Sequence, residues 1–276
     1  MCADLCLTEL QSHAMEILAY LMSGVLAGLM AGLLGIGGGL VVVPTLALLF
    51  ARNGFSADSV MHYAVGTSLA TIIPTSLSSL LAHQRRASVY WAVVRPMAPG
   101  ILLGALASAW LARQLSSTVM ARVFGVFLLL VAVQLLLGAR PSPRRQLPGA
   151  IGLGVVGSVI GLVSALLGIG GGTLTTSFLL WSRVDIRIAV GTAAAIGLPI
   201  AVAGTLGFVI NGLDAVFQPG YNSGFIYWPA VAAIVLVSVP MAPLGARLAH
   251  HLPRVALQRV FALVLLVIGA RMAGLV

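Results

Sequence analysis

The sequence predicts an all-α fold: a polytopic helical membrane protein of two inverted repeats, each opening on a glycine-broken first helix. Three observations carry this. The 276-residue chain is 60% hydrophobic and 8% charged, with a mean hydropathy of +1.09, which leaves no polar surface to wrap a core. Apolar runs near the roughly 20 residues needed to span about 30 Å of hydrocarbon recur from end to end. The heptapeptide Leu-Leu-Gly-Ile-Gly-Gly-Gly occurs twice, at Leu33 to Gly39 and at Leu166 to Gly172. A β-barrel would alternate polar and apolar residues, whereas these runs are continuously apolar.

The apolar segments run approximately 15–50, 62–82, 89–112, 119–139, 149–182, 188–210, 226–249 and 255–275. The first and fifth are too long for one crossing, and both contain the glycine tract. Each glycine costs a helix roughly 1 kcal/mol relative to alanine, so each tract predicts a helix, a break and a second helix, giving about eight to ten crossings in all. Residues 1–14 form an N-terminal extension, 15–140 the first repeat, 141–148 the connecting loop and 149–276 the second repeat.

Duplication extends beyond the heptapeptide. Gly24 to Gly39 aligns without gaps on Gly157 to Gly172, with identity at 10 of 16 positions. Val65-Gly66-Thr67 with Pro74 then corresponds to Val190-Gly191-Thr192 with Pro199. At one fixed offset, Tyr90-Trp91, Leu111-Ala112, Leu115 and Arg122-Val123-Phe124 correspond to Tyr227-Trp228, Leu248-Ala249, Leu252 and Arg259-Val260-Phe261. Broken helices at matching places in two halves point to a transporter's substrate site.

Every basic residue other than histidine is arginine, and nearly all flank apolar segments. The net charge of +9 is therefore a topology signal, and a nucleic-acid partner is not expected because no polar face exists to carry a basic patch. If the two long segments each cross once, seven arginines fall on one side and eight on the other. If each goes in and returns, Arg85, Arg86, Arg95, Arg140, Arg144, Arg145, Arg183, Arg187, Arg247, Arg254 and Arg259 share one side against Arg52, Arg113, Arg122 and Arg271. Eleven against four obeys the positive-inside rule and makes the repeats antiparallel, with the N-terminus outside. At 1.5 Å per residue Thr173 to Trp181 is short for a crossing, and a re-entrant half-helix serves the same topology.

Cys2 and Cys6 form neither a CxxC pair nor a metal-ligand set, and no metal or cofactor is expected. No basic n-region precedes the first apolar run, so a cleavable signal peptide is not expected, and Met15 is a candidate natural start. The carboxylates Asp4, Glu9, Glu16, Asp58, Asp185 and Asp214 all fall before the first span or in loops. Proton relays and sodium sites place theirs inside the membrane, so a cation pathway is disfavoured. His62 opens the second segment, and interfacial anchoring is its expected role. His250 and His251 belong with Arg247 and Arg254 to a loop, and Asp185 between Arg183 and Arg187 is expected to form a local ion pair. No HExxH, GxSxG or P-loop pattern occurs, so an enzyme is not expected.

Glycine breaks expose backbone N–H groups, and the helix that follows each carries about half a positive charge at its start, which favours anions. Unwound backbone survives in a bilayer only inside protein or along a water-filled cavity, so the two breaks should face the interior. Thr45 follows the first tract, and Thr173, Thr175 and Thr176 the second. For Gly24, Gly28 and Gly32, and for Gly157 with Gly161, close helix packing is the expected role. For Thr67 and Thr192, a hydroxyl bonded back to its own helix and a substrate contact are both open.

The paired GLLGIGGG and ALLGIGGG tracts, followed by VGTSLATIIP and VGTAAAIGLP, resemble the sulfite exporter TauE/SafE family of membrane permeases over essentially all of the chain from Met15 onward. The resemblance implies a multi-pass bacterial inner-membrane permease for small anions, often sulfur-containing ones such as sulfite, sulfoacetate or thiosulfate. Its motifs fall here on Gly35, Gly37, Gly38, Gly39, Gly66, Thr67, Pro74, Gly168, Gly170, Gly171, Gly172, Gly191, Thr192 and Pro199. Together with Thr45, Ser68 and Thr173 these glycines and threonines are the candidate substrate contacts, and the two prolines are candidate hinges. One departure stands out: Val43-Pro44-Thr45 becomes Thr176-Ser177-Phe178, so the half-sites are chemically unequal. The expected partners are a small anionic substrate and the lipid bilayer, and a homo-oligomer is allowed. An uncoupled anion channel or facilitator and a non-transporting sensor or assembly subunit are the alternatives.

Overall fold

The computed structural model describes residues 15–29, 38–137, 147–214, 221–248 and 254–275. The predicted Gly35 and Gly37, Gly32, the cysteines, and His250 and His251 lie outside the described residues.

Among the described residues the architecture is all-α apart from one hairpin of two two-residue strands. Helices α1 (Met15–Leu29), α2 (Gly39–Arg52), α3 (Val60–Gln84), α4 (Trp91–Gln114) and α5 (Ser117–Leu136) make the first half. The second half contains α6 (Ala150–Leu166), α7 (Gly172–Trp181), α8 (Ile186–Asn211), α9 (Trp228–Leu248) and α10 (Arg254–Ala273). Strands β1 (Asn222–Ser223) and β2 (Ile226–Tyr227) pair antiparallel just before α9, and Gly224, with φ of 56°, supplies the left-handed turn between them.

Four helices among the described residues, α3, α4, α5 and α8, have 20 to 26 residues and are long and apolar enough to cross a membrane. By contrast α2 with 14 residues and α7 with 10 reach only about 21 and 15 Å at 1.5 Å per residue. Each expected long segment thus contains two short helices, and the second pair meets at a glycine break. Outward-facing apolar side chains, among them Leu103, Trp110, Ile151 and Leu236, are 62 to 87% exposed. Side chains of this size in contiguous bands belong against lipid.

The first short pair is a hairpin. Ala27, near the end of α1, lies against Gly38 at the start of α2, while Tyr20, near the start of α1, meets Phe50, near the end of α2, with ring centroids 6.4 Å apart. The two helices therefore run antiparallel. Phe50 also stacks on Phe55 at 4.5 Å and meets Tyr227 edge-on at 5.8 Å, and Phe55 meets Tyr63 at 5.1 Å. This aromatic cluster fastens the open end of the hairpin to α3 and β2.

Glycines set the helix contacts between the halves. Cβ atoms at Gly24 and Gly28 of α1 would run into Ile234 and Ser238 of α9. At the corresponding positions of α6, Cβ atoms at Gly157 and Gly161 would run into Met97 and Ile101 of α4, each 2.5 Å from a carbonyl oxygen. Residues 97 and 101 stand to 234 and 238 at the same offset as Tyr90 to Tyr227, so matched residues make matched contacts. The packing face of α4 is glycine as well, with Gly100 against Gly154 and Gly104 against Ser158. Backbone-to-backbone approach of this kind is how helices associate where lipid offers no hydrophobic drive.

Two expectations are corrected. His62 is buried rather than interfacial, because the β1–β2 turn covers it: the Phe225 ring centroid lies 5.0 Å away, and Nε2 is 2.9 Å from the Ala112 carbonyl oxygen. Asp185 is a helix cap rather than an arginine partner. Its Oδ1 accepts the Arg187 backbone N–H at 2.8 Å, satisfying one of the free amides at the start of α8.

Candidate functional site

The second break is fully described. After α6 the chain folds back through two turn bonds, from the Gly168 N–H to the Ala165 carbonyl and from the Ile169 N–H to the Ser164 carbonyl. Gly168 and Gly171 have φ of 66° and 67°, a region that costs other L-residues roughly 1–2 kcal/mol, which explains glycine at these two places. The chain re-enters helix at Gly172, with Gly171 as a cap that offers no side chain to the first turn of α7.

This break sits against the start of α2 and between α3 and α8. A Cβ at Gly39 would lie 2.5 Å from the Gly168 carbonyl oxygen and 2.9 Å from the Ile169 Cα. The Ser68 hydroxyl of α3 donates to that same carbonyl at 2.8 Å. Gly170 is held between the Ile72 side chain of α3 and Gly197 of α8. Gly171 faces the δ-methyl of Ile200, one residue past Pro199. The end of the first tract and the second tract are therefore in direct contact inside the protein, and Pro74 and Pro199 lie within α3 and α8.

The predicted threonines divide. Thr45 bonds back to the Val41 carbonyl of its own helix at 2.8 Å. Thr67 and Thr192 do not bond back to their own helices but accept backbone amides from the other half of the chain. The Thr67 hydroxyl accepts the Tyr227 backbone N–H at 3.0 Å, and Thr192 accepts that of Tyr90 at 2.9 Å. Beside them, Gly66 admits the Phe225 carbonyl and Gly191 that of Ser88. Each VGT block thus receives the start of a helix, α9 for Thr67 and α4 for Thr192. Thr192→Val would leave the Tyr90 amide unpaired, and the expected result is a loss of about 1–3 kcal/mol, read as a lower thermal midpoint in detergent.

Sequence reasoning missed Ser164. Its hydroxyl is fully buried at the end of α6 and has no hydrogen-bond partner within the protein, and neither has the buried Thr175 hydroxyl on α7. A signal for both existed in the repeat itself: in the gapless alignment Ser164 replaces Ala31 and Thr175 replaces Val42. Polar residues in one copy against apolar ones in the other mark where the copies have different work.

Among the described residues the interior carries little charge. Every arginine side chain described is exposed, as are Asp58, Asp185 and Asp214, while Glu16 in the first turn of α1 is half-buried. The ion pair of Arg113 with Asp214, at 3.5 Å, is on the surface and contributes about 0–1 kcal/mol. Among the described residues no group of three or more His, Cys, Asp or Glu is placed to hold a metal ion.

The sequence model of the sulfite exporter TauE/SafE family matches residues 20–272. The chain belongs to that family. This TauE/SafE protein is 34% identical over 259 residues to a probable membrane transporter protein of Haemophilus influenzae, covering 93% of this chain and 97% of the relative. It is 26% identical to the probable membrane transporter protein YunE of Bacillus subtilis, over 94% and 97% of the two chains. A probable membrane transporter protein of the archaeon Methanocaldococcus jannaschii is 24% identical over 82% of this chain and 83% of its own. No solved structure matches. As a TauE/SafE protein the chain is a multi-pass membrane transporter and not an enzyme.

Proposed function

We propose that this TauE/SafE protein moves a small anion, a sulfur oxyanion or organosulfonate such as sulfite or sulfoacetate, across a bacterial inner membrane. The observation that supports this best is the contact of the end of the first tract, Gly39 at the start of α2, with the second break at Gly168, with α3 and α8 packed against that break. A broken helix offers its partial positive end to anionic groups, and the described interior holds neither a carboxylate to repel an anion nor an arginine to trap it.

The repeats are inverted in this reading. The α1–α2 hairpin enters and returns, which leaves three crossings per repeat, an odd number, and sets the arginines at eleven against four with the majority inside. Alternating access is then the rocking of one repeat against the other, with Pro74 and Pro199 as the hinges. The lack of an interior carboxylate among the described residues favours one second reading, an uncoupled facilitator. Flux that ignores an imposed pH gradient would select it.

Replacing Gly38 and Gly171 together by valine tests the assignment. At Gly171 valine meets both the left-handed backbone and Ile200. The expected outcome is normal membrane insertion with no anion flux in proteoliposomes, and normal flux would remove the breaks from the mechanism.

A further inference from the structure

We propose that the ligand seat is one-sided: the Ser164 and Thr175 hydroxyls and the N-terminal turn of α7, and not their first-repeat counterparts, take a singly charged oxyanion. The proposal deepens the transport reading and rests on it for the anion, but it narrows that anion to hydrogensulfite and singly charged sulfonates, leaving out sulfoacetate with its two charges. It also names residues and a charge class that can fail separately.

Four observations carry it. First, the Ser164 and Thr175 hydroxyl oxygens lie 3.4 and 3.7 Å from where a Cβ at Gly171 would stand, one from each side of the break. Both residues are fully buried. Second, several helical hydroxyls here bond back to a carbonyl of their own helix: Thr45 to Val41, Ser76 to Ile72 and Ser158 to Gly154. Thr175 could do the same toward Gly171 and does not, and both it and Ser164 lack any partner in the protein. The hydroxyls of Thr176, Thr205 and Ser238 are also buried without a partner, but Ser164 and Thr175 are the pair that flank one left-handed glycine. A buried hydroxyl left unpaired is costly, so two of them around one helix start mark a place where another acceptor is met.

Third, the helix that follows the first tract is built for packing. The residues matching Thr173, Thr175, Thr176 and Ser177 are Leu40, Val42, Val43 and Pro44, and these are buried among the core. Fourth, the chain has no lysine and all its described arginine side chains are exposed. Hydroxyl and amide dipoles with about half a helix charge suit one negative charge. The cost of desolvating a dianion is roughly fourfold larger, since it grows as the square of the charge, and nothing described here offsets it. The anion takes the position held by the flexible δ-methyl end of Ile200, whose backbone follows Pro199.

The test uses the purified full chain in detergent, with methanesulfonate as a permanently singly charged probe and sulfate as the dianion, read by calorimetry. Methanesulfonate is expected to bind at least about tenfold more tightly than sulfate. Ser164→Ala and Thr175→Val should each weaken it about ten- to a hundredfold, the effect of losing a hydrogen bond to a charged group. Thr175→Ser should restore binding, and Ser158→Ala, which removes a hydroxyl already paired within α6, should bind as the parent does. Monodisperse elution shows that each variant is folded. Sulfate binding as tightly as methanesulfonate, no binding of either by the folded protein, or a Thr175→Val variant that binds normally would each overturn the proposal. Vesicles give the separation: binding through Thr175 without flux removes the transport reading and leaves the seat, while flux untouched by Thr175→Val removes the seat and leaves transport.

Discussion

Gly104→Val is expected to abolish folded protein, giving aggregated material on size-exclusion chromatography where the parent elutes as a single peak. A Cβ at Gly104 runs into the Ser158 carbonyl oxygen and comes within 2.9 Å of the Leu162 nitrogen, so both obstacles are backbone of α6. Overpacking a core of side chains costs about 1–3 kcal/mol because rotamers can give way. Backbone cannot, and relief requires α6 to slide off α4 along the whole face that Gly100, Gly157 and Gly161 also close. The cost should therefore exceed about 3 kcal/mol, the upper end of what most single substitutions cost. Gly154→Ala is the control on the same face. A Cβ there meets only the Pro96 carbonyl oxygen at 3.6 Å, an ordinary contact, and its thermal midpoint should stay near that of the parent.

Gly39→Val is expected to produce inserted, monodisperse protein whose anion flux has fallen to the background of empty vesicles. The new side chain would press on the Gly168 carbonyl oxygen and the Ile169 Cα, which belong to the turn rather than to a helix and can move. Moving them breaks the bond from Ser68 to Gly168 and carries Gly170 and Gly171 away from α3 and α8. Placement errors of about 1 Å at a binding centre can cost a hundredfold in rate. A Gly39→Val protein that transports normally would show that the contact between the breaks is incidental. Gly38→Ala makes the graded comparison, since its nearest neighbour is the Ala27 Cβ at 3.1 Å and not the other break.

Much of the fold was legible. The apolar runs predicted the helices to within a few residues, because in a bilayer length and hydropathy dictate a span, and the two glycine tracts marked the places where two of those runs divide. The small-residue spacing of Gly24 with Gly28 and of Gly157 with Gly161 read correctly as packing. Less of the site could be read. Thr67 and Thr192 were visible as a repeated motif, but a motif does not say which backbone amide will come to it from the other half of the chain. His62 looked interfacial from its place at a segment end, and only the short turn carrying Phe225 buries it. Ser164 was passed over because a serine near a helix end is unremarkable until its hydroxyl is found unpaired.

The exchange of partners between halves has a consequence for how the protein is made. Gly24 and Gly28 of α1 are matched to Ile234 and Ser238 of α9, and the Tyr90 amide before α4 is matched to Thr192. Helix α1 is synthesised long before α9, so it waits in the membrane with its glycine face turned to lipid while most of the chain is still to come. The first half can thus close its α1–α2 hairpin against α3 before the contacts that join it to the second half exist, and its final assembly is gated by the arrival of the last helices from the ribosome. A nascent chain stopped after α5 would hold every span of one half and still lack the surfaces of α6, α9 and α10 on which α4, α1 and α5 pack.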